Sequence, residues 1–218
     1  PMDRLIKQVD LSEVKENLFL KSLYQTRVFV LQSNIKLNEN KLSECREYAK
    51  KAIDSTNIQR FQVFSYLTAG NSLLFSDFNQ AKEFFLKGLS ASADNCIYKR
   101  ILGQALCFLN NVWEKENDFL NTDSKEIIDL QEYAHMLINK KNTEKAKEIL
   151  EQLDHLEHND NELAMHYYLK GKLKMDKQCF YSSIEYFKKS NDKFLIRLPL
   201  IMLKQLGENE QLLNLLAL

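Results

Sequence analysis

Hydrophobic residues recur at three- and four-residue spacing along most of the chain, and strict alternation is absent. The stretch "FSYLTAGNSLLFSDFNQAKEFFLKGL", Phe64 to Leu89, shows the pattern well. It reads as two short amphipathic helices with a break near Ser76 and Asp77, and with Gly70 inside the first helix. Extended along the chain, periodicity and cap residues predict helices near 13–37, 41–54, 58–75, 79–91, 95–111, 125–139, 143–155, 162–175 and 178–190. A last pair is expected near 194–206 and 209–217, where Pro199 should start or kink a helix. Five glycines and two prolines leave few helix breakers in 218 residues, so the expected fold is all-α.

The pattern repeats. Around Gly171 the chain reads "YYLKGKLKMDKQCFYSSIEYFKKS", with Tyr167 four before the glycine and Ser183, Phe187 and Ser190 after it. Gly70, Phe78, Ala81, Phe85 and Gly88 give the same order with one residue deleted. Weaker copies of its second half are Cys45, Ala49, Ala52 and Ala146, Leu150, Leu153. The anchors Cys45, Ala81, Ala146 and Ser183 stand 36, 65 and 37 residues apart. That spacing is tetratricopeptide-like, and the wide middle gap predicts a degenerate repeat at about Asp94 to Asn121. Small residues let paired helices approach and aromatics fill the space between pairs, so Gly70 and Gly171 are read as packing residues. Stacked pairs predict a right-handed superhelix whose first helices line a concave face.

Composition narrows the function classes. Thirty basic residues balance thirty acidic ones, which removes the electrostatic footprint of a nucleic-acid or anionic-membrane binder. No apolar run is long enough to span a bilayer, and no signal peptide opens the chain. Cys45, Cys96, Cys107 and Cys179 show no C-x-x-C spacing and read as reduced thiols, which suits a cytoplasm. His135, His155, His158 and His166 offer no metal spacing beyond a weak pair at His155 and His158. With no glycine-rich phosphate loop and no nucleophile–base arrangement, neither catalysis nor a cofactor is expected.

The repeat register points instead to binding. One residue after each small residue, and two and three before it, a first helix should face the groove. Asn71 follows Gly70, and Asn34 follows Ser33, with Asn38 four residues on. Around Ala134 the corresponding residues are Gln131, Glu132 and His135. An amide carries donors and acceptors as a peptide backbone does, so such a row suits an extended peptide. Arg60 offers a bidentate partner for a terminal carboxylate, and Asp192 with Glu132 offers anionic partners for a cationic side chain. For each of these charged residues a surface ion pair is the competing assignment. A tetratricopeptide scaffold for acidic protein tails would want lysine and arginine in the groove, and an RNA-binding repeat would want a basic face.

At these residues the sequence resembles the arbitrium peptide receptors of Bacillus phages (the AimR family), within the wider group of quorum-sensing tetratricopeptide regulators. "FSYLTAGNSLLFSDFNQAK", "FLNNVWEKEN", "HYYLKGKLKMDKQCFYSSIEYFKKSNDKFLIRLPLIML" and "GENEQLLNLLAL" carry the likeness, which covers the whole chain. The resemblance implies an intracellular receptor for a short phage-encoded peptide ending Arg-Gly-Ala, regulating transcription in the lysis–lysogeny decision. It implies that Asn34, Asn38 and Asn71 hold the peptide backbone, Arg60 its carboxylate, and Glu132, Asp192 and Gln131 its arginine. Leu74, Phe108, Asn161 and Phe194 would lie nearby. For Asn161 a helix cap is the alternative, and for the three apolar residues a place in the core.

The family begins with a DNA-binding domain. This chain shows none and reads as one peptide-binding and dimerisation domain over 1–218. The expectation is that the native protein extends further toward its N-terminus, and that DNA is contacted only through that missing domain. Leu212, Leu213, Leu215, Leu216 and Leu218 crowd the end of the chain, where a polar cap would be usual, and predict a homodimer contact. The alternative is that this last helix folds back on the helix before it.

Overall fold

A computed structural model describes Val9 and residues 17–217 of the chain. Eleven α-helices, and no strand, are found among the described residues. They are α1 Leu18–Asn38, α2 Leu42–Asp54, α3 Gln59–Asn71, α4 Phe78–Ala91, α5 Cys96–Val112 and α6 Ile127–Asn139. The remainder are α7 Thr143–Leu153, α8 Asp160–Lys174, α9 Lys177–Lys189, α10 Arg197–Gln205 and α11 Glu210–Leu216. The fold is the all-α helical repeat that the pattern predicts. The expected start of the first helix near residue 13 lies outside the described residues.

Two compact units divide the chain, the first ending at Trp113 and the second beginning at Glu114. In the first, α1–α2 and α3–α4 are antiparallel pairs, α1 lies against α3, and α5 packs on α4 and α3. In the second, α6–α7 and α8–α9 are pairs, α6 lies against α8, and α10 closes on α9 with α11 on α10. The predicted anchors are the cores of the pairs. Cys45, Ala49, Ala52, Ala81, Phe85, Ala146, Leu153, Ser183 and Phe187 are wholly buried. Small residues at these points bring helix backbones close enough for direct bonds, as where Ser183 Oγ donates to the Ala164 carbonyl at 2.8 Å.

Gly70 and Gly171 are close-approach positions. A Cβ on Gly70 would stand 2.3 Å from Phe85 Cε1, and one on Gly171 would stand 2.7 Å from Phe180 Cε1. The covering aromatic differs: Phe85 stands fifteen residues after Gly70, and Phe180 nine after Gly171.

Two boundaries depart from expectation. The helix expected over 58–75 ends at Asn71, and residues 72–76 form tight turns. Leu73 N–H bonds Gly70 O and Leu74 N–H bonds Asn71 O, both at 3.0 Å, so the ending tightens to i→i+3 bonds. Gly70 therefore sits in the last turn and not in mid-helix. The degenerate repeat supplies only one helix, α5, and an irregular segment runs from Trp113 to Glu126. Trp113 ends α5 and fastens it, its indole Nε1 donating to the Leu74 carbonyl at 2.7 Å while the ring packs on Phe78. Pro199 occupies the first turn of α10, where its missing N–H costs no helical bond.

Five helices end alike. The N–H of Lys41, Asn142, Asp176, Asp192 and Glu208 bonds back to the carbonyl of Lys36, Leu137, Gly171, Phe187 and Leu203 respectively. The residue before each donor is left-handed: Asn40, Lys141, Met175, Asn191 and Gly207.

Candidate functional site

In the first unit, Asn34 and Asn38 lie one turn apart on α1 with exposed side chains. Asn34 Oδ1 accepts a hydrogen bond from Thr68 Oγ1 of α3 at 2.7 Å. Thr68 is 34 residues further on and stands two residues before Gly70, so this bond joins α1 and α3. Asn71, the last residue of α3, is half-buried, and its side chain makes no hydrogen bond to another described residue. Arg60, second in α3, is exposed with no ion pair to another described residue. Leu74 is 1% exposed and belongs to the core of the unit; its carbonyl is the one held by Trp113. Phe108 is half-buried on α5. The first unit thus presents amides, with their donors largely uncommitted, along adjoining helices.

The second unit treats the same register differently. Gln131 and Glu132 on α6 are buried, and His135 is wholly so. Gln131 Nε2 donates to the Glu162 carbonyl at 2.7 Å and so ties α6 to the start of α8. Burial, followed by the charges of Glu114 and Glu132, raises the pKa of the Tyr168 phenol. Asn161, exposed in the first turn of α8, is not the cap of that helix. The cap is Asn159, which closes a reciprocal box with Glu162.

Asp192 sits in the turn after α9. Its Oδ1 accepts the backbone N–H of Phe194 at 3.0 Å and of Leu195 at 2.8 Å, an Asx turn that leads into α10. Burial raises its pKa, and the two N–H donors pull it back. It lines a cavity of about 170 Å³ together with Lys188, Asn191, Lys193, Ile196 and Ala217. Phe194 is buried. Sequence reasoning missed Thr68, although the register names it. Thr68 stands two residues before a small residue.

At the chain end, α11 does fold back on α10, burying Leu213. Leu215 remains 62% exposed and Leu212 36%, Leu216 is half-buried, and Leu218 lies outside the described residues. No group of three or more histidine, cysteine or carboxylate side chains is placed to hold a metal among the described residues. Among the same residues no helix is long and apolar enough to cross a membrane.

A family model described as AimR transcriptional regulator-like matches residues 1–205. An AimR transcriptional regulator of Bacillus phage SPbeta is 67% identical over 218 residues, covering all of this chain and 56% of the relative. An SPbeta prophage-derived uncharacterized protein YopK of Bacillus subtilis (strain 168) matches equally. An AimR transcriptional regulator of Bacillus phage phi3T is 44% identical over 200 residues, covering 92% of this chain and 53% of the relative. A solved structure of selenomethionine phAimR superposes with a TM-score of 0.92 at 42% identity, over all of this chain and 56% of that one. A phAimR structure with ligand gives 0.86 at 42% identity, over 94% of this chain and 61% of that one. The chain spans about half the length of the curated relatives it matches.

Proposed function

The chain belongs to the AimR transcriptional regulator-like family, and from that membership we propose that it is the sensory part of a phage transcription regulator that binds a short extended peptide. The peptide is a phage-encoded signal ending Arg-Gly-Ala, and binding acts on the lysis–lysogeny decision in the host cytoplasm. Asn34, Asn38 and Asn71 hold the peptide backbone, and Arg60 receives its terminal carboxylate. Glu132 and Asp192 receive the peptide arginine, with Gln131, Asn161 and Phe194 of the same unit near them, while Phe108 serves the first unit's part of the site. The homodimer forms through Leu212, Leu215 and Leu216, and DNA is reached through a part of the protein that this chain does not contain.

One observation carries this reading. In the first unit the aligned amide positions lie on adjoining helices, joined by the Asn34–Thr68 bond, with amide donors left for a ligand. The position one after the small residue carries an amide in both helix pairs of the first unit, Asn34 and Asn71. A solved relative described as ligand-bound adds support. Calorimetric titration of a hexapeptide ending Arg-Gly-Ala tests it. Binding is expected, at least tenfold weaker when the peptide arginine becomes alanine. Equal affinity for the two peptides would remove the role of Glu132 and Asp192, and no heat with either would remove the peptide reading.

A further inference from the structure

Asn71 stands where a helix is least secure. It is the last residue of α3, and the final carbonyls of a helix lack intrahelical donors, so a last turn frays unless something ties it down. The left-handed ending that closes five other helices is missing here, because Ser72 stays in the right-handed region at φ −61°. The turn that follows closes on itself. Leu73 N–H bonds Gly70 O, Leu74 N–H bonds Asn71 O, and Ser76 N–H bonds Leu73 O at 2.9 Å. These bonds are all local. From α2, Arg46 Nη1 reaches Ser72 Oγ only at 3.5 Å.

The firm tether comes from 39 residues away, where Trp113 Nε1 donates to the Leu74 carbonyl at 2.7 Å. Leu74 is 1% exposed, so water is a poor substitute for that donor. The same indole also reaches the far end of the turn. Its ring packs on Phe78 at 6.0 Å between centroids, and Phe78 opens α4 directly after the cap Asp77. Trp113 itself caps the C-terminus of α5. One side chain of α5 thus grips the α3–α4 connection near both its ends. Two hydrogen bonds lead from it to Asn71, indole N–H to Leu74 carbonyl and Leu74 N–H to Asn71 carbonyl.

We infer that Trp113 is a positioning residue for the peptide site. Through the Leu74 turn it fixes the end of α3 and so holds the Asn71 amide where a peptide backbone can meet it. A hydrogen bond weakens steeply with misalignment, so an amide on a fraying helix end would lose much of its grip. The contribution of Trp113 passes through Asn71 and not through a peptide contact of its own. The inference rests on the peptide reading proposed above.

The test is a double-mutant cycle, with the hexapeptide ending Arg-Gly-Ala titrated calorimetrically into wild type, Trp113→Phe, Asn71→Ala and the double variant. Trp113→Phe keeps an aromatic ring for Phe78 and removes the Nε1 donor. It is expected to weaken binding about fivefold where Asn71 is present, and less than about twofold in the Asn71→Ala background. A general loosening of the fold would weaken binding by the same factor in both backgrounds, and that result would overturn the inference. Wild-type affinity in folded Trp113→Phe would overturn it too, and either result leaves the peptide reading intact. Melting curves followed by circular dichroism report folding. Should Trp113→Phe be unfolded at the titration temperature, Phe78→Leu takes its place in the cycle, since it loosens the seat of the indole and keeps the donor. It is expected to weaken binding about threefold with Asn71 present and negligibly without it, and equal effects in both backgrounds would again overturn the inference. Absence of binding heat in wild type would overturn the peptide reading together with the inference.

Discussion

Gly70→Ala is expected to destabilise the first unit, although alanine is the better helix former. The added Cβ would stand 2.3, 2.6 and 2.9 Å from three ring carbons of Phe85. An ordinary carbon–carbon contact is about 3.5–4.0 Å, so the nearest atom overlaps by more than an ångström. Phe85 is wholly buried and cannot swing into solvent. Relief requires the ring, or α4 with it, to move. Overpacking of this kind typically costs about 1–3 kcal/mol. Replacing glycine by alanine in a helix returns up to about 1 kcal/mol, less in a last turn. The expected net is a loss of about 1–2 kcal/mol, read as a lower urea midpoint with Trp113 fluorescence as the probe. Gly103 is the internal control. It lies inside α5, and a methyl group added there would meet no atom within 4 Å, so Gly103→Ala should gain about 0.5–1 kcal/mol. A second substitution, Phe85→Leu, should recover part of the Gly70→Ala loss but cost stability alone. Should Gly70→Ala match or exceed wild type, the close approach of α3 and α4 is wrong as described.

Met175 ends α8 in the left-handed region at φ 53°, where the same ending of α10 uses Gly207. Met175→Gly should therefore raise stability by about 0.5–1 kcal/mol, checked as an upward shift of the urea midpoint, and a decrease would show that the exposed side chain contributes packing. All four histidines fall in the second unit and the sole tryptophan, Trp113, in the first. Burial pushes the pKa of both His135 and His166 down, although Asp154 pulls that of His166 back up. A base whose pKa is lower folded than unfolded takes up more protons when it unfolds, so its contribution to stability is lost as pH falls below about 6.5. Between about pH 7.5 and 5.5, the urea midpoint seen by circular dichroism should fall more than the midpoint seen by Trp113 fluorescence, and parallel midpoints would contradict this.

Helices and cores are legible in the sequence because small and aromatic anchors at fixed register leave few alternatives. The helix-pair anchors Cys45, Ala81, Ala146 and Ser183 are all wholly buried. The end of α3 is hard to read, since Gly70 and Asn71 favour a helix end but the apolar residues of "GNSLLF" continue the helical period, and the turn is closed by local i→i+3 bonds. Left-handed endings at Lys141 and Met175 carry no glycine or asparagine to announce them. The repeat spacing extends past Trp113, but no helix forms there before α6. Of the candidate site, the exposed amides on α1 follow from register alone. The burial of Gln131, Glu132 and His135 does not, because it depends on how closely α8 covers α6, as the Gln131–Glu162 bond shows. Charge singles out Asp192 in the sequence, whereas its capping of the turn before α10 emerges only from the fold.

The central claim is that side-chain amides of the first unit grip a peptide backbone. Its most direct test is calorimetric titration of the hexapeptide ending Arg-Gly-Ala into wild type and into the Asn34→Ala, Asn71→Ala double variant. The account predicts affinity at least tenfold lower in the variant, with a melting temperature within a few degrees of wild type. Wild-type affinity in the folded double variant would contradict it.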